Sequence, residues 1–145
     1  MLERYEIVAA NLLDGENRRV SDRIPAYALY TDPPLGRAGM TAAGARASGR
    51  RALIGKIAME DVPPAFEKGE TEGFVKILVD ADTKEILGAA FLGISGDEVI
   101  YCVLDIMYAK ASYTVLERAM HIHPTVAELL PGMLDDLALL PQPAS

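Results

Sequence analysis

Tryptophan is absent from this chain of 145 residues, cysteine occurs once and histidine twice. One cysteine, Cys102, excludes an intrachain disulfide, a redox-active cysteine pair and a zinc site built on cysteines. It lies in Tyr101-Cys102-Val103-Leu104, an apolar stretch where a small buried residue is the ordinary reading. Basic residues are outnumbered, 14 Lys and Arg against 21 Asp and Glu, for a net charge of -7. That balance argues against nucleic-acid binding, which needs clustered cations on phosphates, and against anionic membrane surfaces. Long apolar runs are missing too. The run from Val99 to Leu104 stops at Asp105, far short of a bilayer span. The first residues, Met1-Leu2-Glu3-Arg4-Tyr5-Glu6, carry acids where a signal peptide needs a basic start, so a cytoplasmic location is expected. No Gly-x-Gly-x-x-Gly sits on a strand-to-helix turn, so the dinucleotide fingerprint is absent.

Half of the residues are hydrophobic and 24% charged, an ordinary globular balance at a length that suits one core. Leu2, Tyr5, Ala9 and Leu12 recur at helical spacing ahead of Asp14-Gly15, which predicts a helix over 3–13. The charged stretch 16–24 reads as a linker. Residues 26–31 predict a strand ended by Asp32-Pro33-Pro34, 41–47 an alanine-rich helix, and 51–58 a second strand. Pro63-Pro64 opens a short helix. The clearest element is a hairpin, 74–80 and 86–92 about a polar turn. Val75, Ile77 and Val79 share one face of its first arm, with Lys76 and Asp80 on the other, as in a half-solvated antiparallel sheet. Beyond Gly93 the apolar period lengthens from two to about 3.6, predicting a helix to about Lys110 and shorter ones after Thr114 and Thr125. The tail 141–145 should be loose. Strands followed by helices, without regular alternation, point to an α+β fold.

Both histidines fall in Met120-His121-Ile122-His123-Pro124-Thr125-Val126-Ala127-Glu128. Histidine passes protons near neutral pH, and a neighbouring carboxylate can select its tautomer. The residues alone favour a plainer account. Thr125-x-x-Glu128 is a capping box, and the same pattern recurs at Ser95-x-x-Glu98 and Thr114-x-x-Glu117, each at a predicted helix start. Two histidines two apart could share a metal on a strand, yet no third histidine or cysteine completes such a site.

His123-Pro124-Thr125-x-x-Glu128 resembles the His-Pro-Thr-x-x-Glu signature near the C-terminus of dihydrolipoamide dehydrogenase, mercuric reductase and related flavin-dependent pyridine nucleotide–disulfide oxidoreductases. Thr31 to Thr41 resembles the family's opening strand and turn, with Pro34 and Ala38 where the family usually has Glu and Val. Gly69 to Lys76, then Ile86-Leu87-Gly88-Ala89, follows its hairpin. In order, these cover about residues 25–137. The resemblance implies the dimerisation-domain fold of the FAD- and NAD-linked reductases, with an antiparallel sheet packed by helices. It implies that His123 is the acid–base partner of a redox dithiol in the other subunit's active site, that Glu128 orients it, and that His121 is structural or interfacial.

The opening helix resembles the last helix of the family's flavin domain, so residues 1–15 are expected to be a remnant of that domain. Residues 16–24 would be a linker, 25–140 the interface domain and 141–145 a tail. The chain alone should bind neither FAD nor NAD(P), both implied for a full-length enzyme, and should pair with itself through the helices after Gly96, including Tyr101, Met107, Tyr108 and Tyr113. Two readings follow: an interface domain of a disulfide oxidoreductase, or a stand-alone dimeric interaction module that has lost catalysis.

Overall fold

In the computed structural model, residues 2–142 are described. Helices α1 (Leu2–Leu13), α2 (Ala42–Ala47), α3 (Pro63–Lys68), α4 (Gly96–Tyr108), α5 (Thr114–Glu117) and α6 (Leu129–Asp135) accompany one sheet. Its strands are β1 (Ala26–Leu29), β2 (Leu35–Gly39), β3 (Ala52–Ala58), β4 (Phe74–Asp80), β5 (Ile86–Leu92) and β6 (Ala138–Leu139). They lie in the order β1-β2-β5-β4-β3-β6, every neighbouring pair antiparallel. The expected α+β class with an antiparallel sheet is what the chain adopts.

The hairpin of β4 and β5 is the centre of the sheet. Opposed pairs such as Val75↔Phe91 and Ile77↔Ala89 place their side chains on one face, where they form the main core with Val99, Ile100 and Val103 of α4 and Leu130, Met133 and Leu134 of α6. Two glycines set how close those helices come. A methyl group at Gly36 would run into the Gly96 carbonyl and Cβ of Ile100, and one at Gly55 would meet Met133. Absent Cβ atoms at these points let α4 and α6 lie directly on the strands.

The other face departs from the expected pattern. Lys76 is half-buried, but Asp80 is only 4% exposed and its neighbour Leu78 is buried. Alternation within one strand cannot show that α2 folds over this end of the sheet, enclosing Ala45, Ala52, Leu78 and Leu87. Thr41 closes the start of α2, its hydroxyl accepting from the Gly44 N–H at 2.9 Å. Arg46 Nε donates to the Pro141 carbonyl at 2.7 Å. Buried Asp80 is satisfied by the hairpin turn: its Oδ1 accepts from the N–H groups of Asp82 and Thr83, each at 2.9 Å.

Leu35–Gly39 is a strand that its own residues do not announce, because Gly-Arg-Ala-Gly lacks the β-branched residues that advertise one. The predicted strand over 26–31 ends at Leu29. In α1, Ile7 and Ala10 are buried while Tyr5, Val8 and Leu12 are exposed. The segment after it folds back: Asn11 Nδ2 donates to the Arg18 carbonyl, and Asn11 Oδ1 accepts from the Arg18 N–H. Of the expected loose tail, 143–145 lie outside the described residues. No helix among the described residues is long and apolar enough to cross a membrane.

Candidate active-site turn

His123 sits on the connection between α5 and a 3-10 turn, Val126–Glu128, which runs straight into α6. Val126, Leu129 and Leu130 are buried and pin this helical stretch to the main core. The exposed residues Met120, Ile122, His123 and Pro124 lie on the loop that it carries. The Thr125 hydroxyl donates to the Ile122 carbonyl at 2.7 Å, closing the loop around the His123-Pro124 pair.

The Glu128 carboxylate is turned onto His123, with Oε2 2.9 Å and Oε1 3.2 Å from Nδ1. The side chain of His123 is 78% exposed and that of Glu128 22%. With Nδ1 engaged by an acceptor, the ring nitrogen left to exchange a proton with another molecule is Nε2. The pair therefore presents an outward-facing imidazole with a carboxylate held against its inner ring nitrogen.

None of the three capping boxes forms. The Thr125 side chain makes no capping bond and donates instead to Ile122, while Glu128 faces His123. Thr114 bonds to the Ser112 hydroxyl, and Tyr113 holds the helix boundary. Ser95 takes a left-handed conformation with φ 59° and caps nothing. The spacing was right for each box, but Ser and Thr hydroxyls have several local acceptors, and the backbone before each helix favours another.

His121 does not join the pair; its Nδ1 is buried without a hydrogen-bond partner among the described residues. Burial pushes the Cys102 thiol up, away from a reactive thiolate. Tyr101 and Tyr108 are half-exposed on α4, but Tyr113 is only 7% exposed and belongs to the core, which corrects its expected place on a contact surface. Among the described residues no group of three or more His, Cys, Asp or Glu could hold a metal ion. A cleft of about 450 Å³ between the β2–β5 end of the sheet and the end of α4 shares no residue with the His123 loop.

The antiparallel sheet with α4 and α6 on one face is the fold of a dimerisation domain, and comparison with known proteins assigns its family. Residues 25–134 match the family profile described as pyridine nucleotide-disulphide oxidoreductase, dimerisation domain; the chain belongs to this family. A probable pyridine nucleotide-disulfide oxidoreductase, RclA, of Escherichia coli K12 is 34% identical over 131 residues, covering 89% of this chain and 30% of that protein. A dihydrolipoyl dehydrogenase 3 of Pseudomonas putida is 35% identical over 130 residues, covering 88% and 28%. The solved HOCl-induced flavoprotein disulfide reductase RclA from Escherichia coli superposes with a TM-score of 0.87 at 32% identity, over 92% of this chain and 31% of that one. The chain thus spans less than a third of the length of these relatives.

A phosphate cradle needs glycines whose missing Cβ atoms leave room for a ligand at a helix N-terminus. At Gly36, Gly39, Gly55, Gly73, Gly88, Gly93 and Gly96 that room is filled by the chain's own atoms. Gly15, Gly49, Gly69 and Gly132 face open space, but none of them begins a helix.

Proposed function

We propose that this chain is the self-pairing portion of a flavin disulfide oxidoreductase, and that it supplies His123, oriented by Glu128, as the acid–base group for a dithiol in the partner subunit's active site. One observation carries this reading: an exposed imidazole whose Nδ1 is engaged by Glu128 at 2.9 Å and whose Nε2 remains for another molecule. A histidine kept for packing would be buried, and a capping Glu128 would bond to backbone. Neither holds here.

The proton step balances within the pair. A thiol of the dithiol gives its proton to Nε2, leaving a thiolate, and the imidazolium that results is stabilised by the Glu128 carboxylate. On return the imidazolium protonates a leaving thiolate. Cys102 cannot serve as that thiol, being single and held in its protonated form by burial. The dithiol, FAD and NAD(P) would all reside in other domains, and the chain alone would bind neither cofactor. Self-association places the loop beside a second copy's domains, and the half-exposed Tyr101 and Tyr108 of α4 offer an apolar contact for a two-fold pairing.

A domain exchange tests the reading. Residues 25–142 would replace the matching segment of the Escherichia coli disulfide reductase, and disulfide-reductase turnover of the hybrid would be measured. Turnover that falls by roughly 10²-fold or more on His123→Ala, with dimer and flavin content unchanged, is expected. A dimeric, flavin-loaded hybrid whose turnover does not respond to His123→Ala would favour the second reading, a dimeric interaction module without chemistry.

A further inference from the structure

The sheet has a second face that α2 covers only in part. Directly opposed residues project to the same side, so the register can be followed across the strands. Lys56 on β3 opposes Lys76 on β4, Lys76 opposes Ala90 on β5, Ala90 opposes Arg37 on β2, and Arg37 opposes Tyr27 on β1. Because α4 and α6 pack against Gly36 and Gly55, one residue out of phase with Arg37 and Lys56, this row lies on the opposite face. The next row, Leu29, Leu35, Leu92, Phe74 and Ala58, is apolar, and all five residues are partly or largely exposed.

Three cations therefore lie in one line across the sheet of a chain whose net charge is -7. Among the described residues none of the three is held in an ion pair. Lys56 and Lys76 are directly opposed like charges, an arrangement that costs stability in a sheet. Both ammonium groups lean over one ring, with Nζ of Lys56 5.2 Å and Nζ of Lys76 5.8 Å from the Phe74 centroid. Arg37 stacks on Tyr27, yet its Nη2 is buried with no hydrogen-bond partner. Asp32, Glu70 and Glu72 line a cleft beside the starts of β2 and β4, and Arg37 shares a second cleft with Asp97 of α4.

An apolar row beside an unpaired cationic row is what the inner face of a covered sheet presents to an amphipathic helix of opposite charge. Sheets bury a face by packing a layer on it. From Lys56 to Arg37 the row crosses three strand spacings, about 14 Å. A helix lying across the strands, with carboxylates at i and i+4 and apolar side chains beside them, reaches all three cations within about ten residues. We propose that this face is a docking surface for an acidic amphipathic helix of a partner protein, with its carboxylates on Lys56, Lys76 and Arg37 and its apolar edge on Leu35, Phe74 and Leu92. A second copy whose two-fold axis runs through the row cannot occupy it, since cations would then meet cations. The proposal is independent of the chemistry at His123.

The test uses the whole chain and a synthetic amphipathic helix of about 16 residues, with glutamates at i, i+4 and i+8 flanked by leucines. A second peptide carries lysines in place of the glutamates, and tripolyphosphate is titrated separately. Expected are amide shifts at Lys76, Ala90, Arg37 and Phe74 with the glutamate peptide, weakening as salt is raised. Charge reversal by Lys56→Glu with Lys76→Glu should weaken that peptide roughly tenfold and admit the lysine peptide. Should the reversed chain fail to fold, Lys56→Gln with Lys76→Gln serves, with a several-fold loss. Equal binding of the two peptides, shifts confined to α4 or the His123 loop, or tripolyphosphate binding as tightly as the peptide would each overturn the proposal.

Discussion

Glu128 holds Nδ1 of His123 at 2.9 Å across five residues of sequence, and does so instead of capping the helix that it begins. That contact should select the neutral tautomer with its proton on Nδ1. In Glu128→Ala the tautomer with the proton on Nε2, favoured by free imidazole, should return. Long-range ¹⁵N–¹H NMR of the ring at alkaline pH reads this directly. An unchanged tautomer would sink the orienting role of Glu128. Unfolding free energy should fall by no more than about 1 kcal/mol, because the His123 end of the pair is exposed and screened.

Acid stability should depend on Asp80. Its carboxyl is held below the usual carboxylate range, first by the Thr83 N–H, with help from the Asp82 N–H and Arg50 against the opposing effect of burial. Arg50 likewise holds Glu85 low through a hydrogen bond. A depressed carboxylate stabilises the fold above its unfolded pKa of about 3.9, and that contribution is lost as pH falls through the folded value. Asp80→Ala should therefore cost about 2 kcal/mol at pH 7, and the difference from wild type should shrink below about pH 4. Parallel urea curves at pH 7 and pH 3 check it; an equal gap at both would refute the linkage.

Close approach at Gly36 leaves no room for a methyl group beside the Gly96 carbonyl and Ile100. Gly36→Ala should push α4 off the sheet at a cost of about 1–3 kcal/mol, while the same change at Gly132, where nothing lies within 4 Å, should not destabilise. Thermal melts of the two variants make the comparison.

Self-association should pass through α4. Tyr101 is 56% exposed on its outer face, and Tyr101→Glu should weaken the pair roughly tenfold or more. Light scattering across a dilution series measures this. A wild-type chain that stays monomeric at high concentration would remove the basis of the two-fold pairing.

The purified chain should be colourless and give no calorimetric heat with FAD or NAD(P)H, since Gly96, the glycine that begins α4, is packed against the backbone of Phe91 and Pro34. A stoichiometric flavin spectrum would contradict the cofactor reading.

The hairpin of β4 and β5 was legible because a half-buried strand repeats every two residues, and Val75, Ile77 and Val79 state that period without interruption. β2 was not, since Gly36 and Ala38 are small for the sake of α4, a partner sixty residues away that no local window contains. Burial of Asp80 escaped for a similar reason: α2 covers the end of the second face, and a strand's own alternation says nothing of what lies above it.

By itself, the sequence determined the chemistry that is possible. One cysteine forbids a dithiol within the chain, no Gly-x-Gly-x-x-Gly occurs in it, and the order of motifs points to the family. These are matters of residue identity and short spacing, which a chain carries whatever its shape. Tertiary structure alone decided where Glu128 points, because a carboxylate three residues into a helical turn can reach either the backbone behind it or an imidazole beside it. Only the folded register reveals Lys56, Lys76 and Arg37 as one line, for they lie on three strands that align them only with Ala90 of β5 between Arg37 and Lys76.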